Sequence, residues 1–251
     1  MATHLATAFK EVGCQICHVW SRNCAHAQTL ARKVGAETVA DIRQIGRDDD
    51  FVFVAVSDDS LTEVIAQLRL SRAILVHTSG ATSIDVLGMS ASRYGVVWSP
   101  QSFVRDVPMD YTQLPLCAEG NNDATTRQLV ELLGRVSKKT YVLNGNQRLW
   151  AHLSAVLVNN FGNYINALAQ QLMSRQEIPF ELLHPIILTT ANRAVSAAPN
   201  QNLFDFQTGP AIRRDEKTLF RHRSLIADEE EILQLYDLMT QAIQSFQDEK
   251  R

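Results

Sequence analysis

The chain has 251 residues, 45% hydrophobic and 20% charged, with a formal net charge of -3. That length holds one large or two modest domains. The weak charge excludes a general nucleic-acid binder, which needs a basic surface. Cys14, Cys17, Cys24 and Cys117 have no disulfide-framework spacing, and Cys14-Gln-Ile-Cys17 lies inside an apparent strand, so the reading is reduced thiols and no metal. No secretory leader precedes the first helix, which is the pattern of a cytoplasmic protein.

Met1 to Gly13 reads as a complete helix, with Ala2, Leu5, Ala6, Phe9 and Val12 as an apolar stripe and Gly13 as a left-handed stop. Cys14–Trp20 follows as a buried strand. Further strands are expected at Phe51–Ser57, Ile74–Thr78, Gly95–Ser99, Leu114–Ala118 and Lys139–Leu143, with a short one near Glu37–Val39. Between them lie Cys24–Lys33, capped by Asn23, then Leu61–Leu68, opened by a Ser60–Glu63 capping box, and a helix from Asp123 to Leu133 stopped by Gly134. Apolar strands alternating with helices specify an α/β fold, a doubly wound, mostly parallel sheet covered on both faces.

After Leu143 the pattern is helical only. Gln147–Ser174 reads as one long helix, Phe180–Ala197 as a second bent at Pro185, and Asp228–Asp248 as the last; Ala198–Arg214 reads as loop. Residues 1–145 and 146–251 are the expected domains. Leu149–Ser174 is uncharged and long enough to span a bilayer, but Asn159, Asn160, Asn163, Asn166, Gln170 and Gln171 would be costly in lipid, so no membrane association is expected.

Candidate chemistry collects at strand ends, where ligands bind in doubly wound sheets. Ser21, Arg22 and Asn23 stand where a ribose is gripped; a hydroxyl beside a guanidinium suits a 2′-phosphate, whereas a plain surface arginine is the alternative. Ser57 and Asp58 end the next strand and could approach a cofactor or cap a helix. His77-Thr78-Ser79-Gly80 ends the third: His77 is the first choice of proton donor and Ser79 a substrate hydrogen-bonder, with structural bonding as the other reading of His77. Trp98–Ser102 closes over the same edge, shaping the pocket or only ending the strand. On the long helix His152, Asn159, Asn163, Asn166 and Gln170 share one uncharged polar stripe at helical spacing, read as buried and cleft-lining rather than solvated. Gln207-Thr208-Gly209-Pro210 opens a short helix beside Arg213 and Arg214, an anion site or a connector.

These residues together resemble a bacterial family of Rossmann-like proteins with an all-helical C-terminal domain, described as NADP oxidoreductases and grouped with pyrroline-5-carboxylate reductases and 6-phosphogluconate-type dehydrogenases. The most specific parts are Met1-Ala-Thr-His-Leu5, Val76–Gly80, His152–Phe161 and Gln207–Ala211 with Arg213 or Arg214 and Asp215. The resemblance implies NADPH held by Ala2, Thr3, Ser21, Arg22, Asn23, Ser57, Asp58, Thr78 and Ser79, and hydride transfer to a C=N or C=O bond between the domains. It implies a proton from His77 or His152, substrate contacts from Asn159, Asn163, Gln207, Thr208 and Arg213, and a homodimer through Gln147–Ser174. Similar proteins carry a strand and a Gly-x-Gly-Asn loop ahead of Ala-Thr-His-Leu. Their absence here leads to the expectation that Met1 is internal to a longer product, and that the missing strand lies between Cys14–Trp20 and Phe51–Ser57. The alternative function is a non-catalytic nucleotide sensor or scaffold that keeps the fold.

Overall fold

The computed structural model describes residues 1–46, 48–104 and 107–249. They divide into two compact units, Met1–Ala167 and Leu168–Arg251.

In the first unit α1 (Ala2–Glu11) ends in a paired closing motif, with Gly13 N–H on the Lys10 carbonyl and Cys14 N–H on the Phe9 carbonyl. Gly13 takes φ +79°, a conformation that costs glycine little. Leu5, Ala8 and Phe9 are its buried face, and the Phe9 ring lies 5.1 Å from that of Phe53. The expected strand at Cys14–Trp20 shrinks to β1 (His18–Val19), which pairs in parallel with β2 (Glu37–Thr38); α2 (Cys24–Val34), capped by Asn23 as expected, joins them.

A second sheet has the order β3 (Phe51–Val54), β4 (Ile74–His77), β5 (Tyr94–Trp98), β6 (Leu116–Gly120), β7 (Thr140–Val142). All neighbours are parallel except β5 and β6. The fold is therefore α/β with a mostly parallel sheet, but its strands fall into two sheets rather than one. β4 is buried at every residue, as apolar strands flanked on both sides should be. On β3 only Val52 and Val54 are buried, while Phe51 and Phe53 are half-buried.

Two helix boundaries differ from the sequence reading. α3 runs Asp58–Ala66, so Ser60 lies inside it and not at its cap; strand-end backbone at Ser57 lets the helix begin sooner. α4 (Asp123–Val136) passes through Gly134, around which space is open, and is capped by Asn122. α5 (Gly145–Ala155) opens on an Asn144–Gln147 capping box. It leads through a π-helical turn, Val156–Phe161, into α6 (Gly162–Ser174), so the long helix carries one wide turn.

In the second unit, Pro185 does not bend a helix. It sits in the first turn of α7 (His184–Ser196), after a 3₁₀ turn at Phe180–Leu183, where its missing N–H is harmless. Part of the expected loop is ordered, with a 3₁₀ turn at Leu203–Phe206 and α8 (Pro210–Arg213). α9 (Glu216–Leu225) was not expected, because its charged sequence has little apolar periodicity. It is tied to α10 (Glu230–Glu249) by His222 Nδ1 to the Tyr236 hydroxyl at 2.8 Å and by Arg223 to Asp237 at 2.7 Å. Among the described residues no helix is long and apolar enough to cross a membrane.

Candidate functional site

The carboxyl ends of β3, β4 and β5 lie side by side, because these strands are parallel neighbours. The end of β4 is the most tightly built. His77 is fully buried, and its Nδ1 accepts the Ser79 N–H at 3.1 Å. Nε2 then carries the hydrogen, and it has no hydrogen-bond partner among the described residues. Burial pushes the ring down to about 4, and the Arg148 cation acts in the same direction. The Ser83 backbone and the Asp58 charge offset this only in part. His77 is thus a neutral ring that holds the turn. It has no exposed surface in the single chain, whereas the other candidate donor, His152, is partly exposed.

Ser79 also works locally. It is buried, its Oγ donates to Thr82 Oγ1 at 2.9 Å, and it accepts the Ala81 and Thr82 N–H groups. Thr78 between them is half-buried. The turn is locked from outside by Arg148. Its Nη1 donates to the carbonyls of Ser79 and Gly80, each at 3.0 Å, while Nε and Nη2 grip Glu119 at 3.2 and 3.1 Å. The Arg148 side chain is 3% exposed, so this cation is almost wholly out of water, and each of its three nitrogens is hydrogen-bonded. Its field is felt nearby, where it opposes the burial that pushes the Cys117 thiol up to about 11.

Sequence reasoning missed Arg148 and Glu119. Arg148 stands one residue before the uncharged stretch, and Glu119 one residue past the expected end of its strand. A lone arginine on a helix that otherwise lacks strong charge was the available signal.

His152, one turn beyond Arg148 on α5, meets the same turn. A Cβ on Gly80 would come within 2.4 Å of His152 Cδ2 and 2.7 Å of Trp98 Nε1, so only glycine admits this packing. The Trp98 and His152 rings meet edge to face at 5.9 Å, and His152 keeps part of its surface exposed. Asn159, in the π turn, donates to Ser102 Oγ at 2.8 Å. The structure therefore unites His77–Gly80, Trp98, Ser102, His152 and Asn159. Asn159, Asn163, Asn166 and Gln170 are exposed in the single chain, not buried as expected; the wide turn also breaks the uniform phase on which the stripe was drawn.

At the end of β3, Ser57 and Asp58 are exposed at the start of α3. Arg22, past the end of β1, reaches them: its Nη2 donates to Ser60 Oγ at 2.6 Å, and Ser57 Oγ donates to the same oxygen at 3.0 Å. Arg22 is exposed. Ser21 accepts the Asn23 N–H, and the Asn23 side chain caps α2. Ala2 and Thr3 form the first turn of α1, where no side chain caps the helix. His4 is buried and satisfied by Tyr111 and the Val104 carbonyl.

Gln207, Thr208 and Arg213 belong to the second unit, where all three are exposed. Gly209 takes φ +104° ahead of Pro210, and Arg214 is bound to Asp248 at 2.5 Å.

Residues 1–97 match a Rossmann-like domain, and residues 114–243 match a domain of unknown function, DUF2520. No curated protein matches. A Bacteroides fragilis crystal structure, described as a candidate NADP oxidoreductase, is 30% identical; 97% of this chain and 94% of that one align with a TM-score of 0.85. A Thermotoga maritima protein is 22% identical over 98% of this chain and 96% of that one, with a TM-score of 0.74. An imine reductase from Myxococcus stipitatus in complex with NADP+ is 20% identical over 98% and 90%, with a TM-score of 0.64. With both halves matched in order, the chain belongs to the family of Rossmann-like proteins that carry a DUF2520 domain.

Proposed function

We propose that the protein is an NADP-dependent oxidoreductase that reduces a C=N or C=O bond in a small molecule. The observation that carries this reading is the exposed Arg22 at the carboxyl edge of the α/β layer, linked through Ser60 to the start of α3. A guanidinium has five N–H donors, and one named hydrogen bond leaves capacity for phosphate oxygens. The 30% identical relative described as a candidate NADP oxidoreductase and the NADP+ complex of a more distant imine reductase support the same choice.

The residues fit a nicotinamide dinucleotide. Ser21 and Arg22 would hold the 2′-phosphate, the first turn of α1 at Ala2 and Thr3 would face the pyrophosphate, and Ser57, Asp58 and Thr78 would line the strand ends. Asn23, whose Oδ1 caps α2, would stand beside Ser21 and Arg22. The bound nucleotide supplies the hydride. His152 is the proton donor of choice: it is partly exposed, and Gly80 and Trp98 fix its position. His77, Ser79 and Arg148 hold the turn on which it rests. Asn159 orients Ser102 and, with Asn163, offers amides to a polar substrate.

We assign a homodimer to the face of α5 and α6. Val158 is 80% exposed and Trp150 63%, with Leu157, Phe161 and Tyr164 also exposed nearby; apolar exposure on this scale marks an interface. The test of the function is a titration with NADPH and NADH followed by a screen of imines and keto acids. Submillimolar NADPH binding and turnover of one such substrate class support it, and binding of neither nucleotide overturns it.

A further inference from the structure

His4, on α1, ties together two stretches of the loop that follows β5. Its Nε2 lies 2.9 Å from the Val104 carbonyl, which can only accept, so Nε2 carries the hydrogen. Nδ1 is then the acceptor of the neutral ring, and it takes the Tyr111 hydroxyl at 3.1 Å. The ring also lies against Phe103, centroid to centroid 5.2 Å. The two stretches differ in how firmly they are held. Tyr111 opens a 3₁₀ turn capped by Asp110, and the next carbonyl, of Thr112, receives the Lys138 N–H at 3.0 Å. Gln101–Val104 is irregular and exposed apart from the half-buried Phe103. α1 itself is seated by Leu5, Ala8 and Phe9, all buried. His4 thus hangs a loose segment from two fixed ones.

That segment carries Ser102, whose Oγ receives the Asn159 amide at 2.8 Å. Two residues reach at most about 7 Å, so the point at which the Val104 carbonyl is pinned limits where the Ser102 hydroxyl can stand. We infer that His4 is a positioning residue for the substrate side of the site: through Phe103 and Val104 it fixes Ser102, and through Ser102 it fixes the direction of the Asn159 amide. This rests on the reading of Asn159 as a substrate contact. Without the imidazole, the Val104 carbonyl keeps the longer bond from the Val107 N–H at 3.4 Å, and Ser102 is free to turn away. α1 keeps its buried face, so the nucleotide side, at Ala2 and Thr3, stays as it is.

The test compares the parent with His4→Phe, which keeps a ring and removes both hydrogen bonds. Tyr111→Phe, which removes one hydroxyl, takes the same readouts if His4→Phe does not fold. Backbone order parameters at Ser102–Val104 should fall from about 0.85 to about 0.6 in His4→Phe, with those of Leu5–Phe9 unchanged. The Asn159 side-chain amide resonance should move in His4→Phe as it moves in Ser102→Ala. With the substrate found in the screen, KM should rise about fivefold in His4→Phe, while the NADPH dissociation constant stays within about twofold. His4→Gln, which still offers an N–H to the Val104 carbonyl, should restore part of the loss. His4→Phe on a Ser102→Ala background should add little. A KM rise that adds in full to that of Ser102→Ala overturns the inference, because His4 would then act by another route. So does an Asn159 resonance that follows Ser102→Ala but ignores His4→Phe, an unchanged order parameter at Val104, or an equal loss of NADPH and substrate. If neither nucleotide binds, the proposed function falls by itself, and the order parameters and the Asn159 resonance still decide whether His4 sets Ser102.

Discussion

Arg148 Nη1 stands 3.0 Å from the Gly80 carbonyl oxygen, and the remaining guanidinium nitrogens hold Glu119. One buried cation thus welds β6, the turn after β4 and α5 together. Removing one partner of such a pair strands the other charge out of water. Arg148→Leu is expected to lose about 3–5 kcal/mol of stability in urea titration, and Arg148→Leu with Glu119→Leu should recover much of that. If the single substitution costs under about 1 kcal/mol, the weld is not structural.

His77 makes stability depend on acid. Its ring is held at about 4 in the fold against an ordinary 6.5. Below 6.5 the unfolded chain binds a proton that the native chain refuses until about 4. Unfolding thus takes up protons, and stability falls as pH drops through that window, by up to about 3 kcal/mol. Above 6.5 the effect is absent. His77→Gln should flatten this part of the stability–pH curve, and an unchanged slope would count against the buried neutral ring.

Arg22 bears on nucleotide choice. Arg22→Asp should weaken NADPH at least tenfold, about 1.4 kcal/mol, and leave NADH unchanged or tighter. The measurement is nucleotide binding by calorimetry. Equal loss for both nucleotides would mean that Arg22 supports the fold rather than reading a phosphate.

Gly80→Ala introduces a methyl group into the contact with His152 and Trp98. Either α5 shifts or the imidazole moves, at a cost of about 1–3 kcal/mol. We expect turnover to fall by more than stability, with NADPH affinity little changed, because the displaced group is the proposed proton donor. Kinetics beside thermal melting separates the two.

Val158→Glu places a charge on the most exposed apolar position of the π turn. Light scattering should show a dimer for the parent chain and a monomer for the variant. A monomeric parent would remove the dimer assignment.

Much of the layer order was legible in the sequence, for a physical reason. Ile74–His77 and Tyr94–Trp98 are continuous apolar runs bounded by breakers, and such runs have few alternatives inside an α/β layer. Cys14–Trp20 was overread because its residues are apolar enough for a strand, but only His18 and Val19 find a ladder. α9 was unread because, beyond the Asp215 cap just before it, it is held by Tyr236 and Asp237, which lie on the next helix. The site was half legible. His152 and the turn at His77–Gly80 could be named from strand ends and helical spacing. That His77 is buried and His152 partly exposed could not, since burial is set by the packing of elements distant in the chain.

The wide turn at Val156–Phe161 spends one residue more than α-helical winding needs. Deleting a single residue there would let the rod wind normally and shorten it by about 1.5 Å, with the residues beyond keeping roughly the face they have now, because the wide turn already absorbs the extra residue. Chains that keep or lose that one residue would thus show the same stripe beyond the turn, on rods that differ in length by one step.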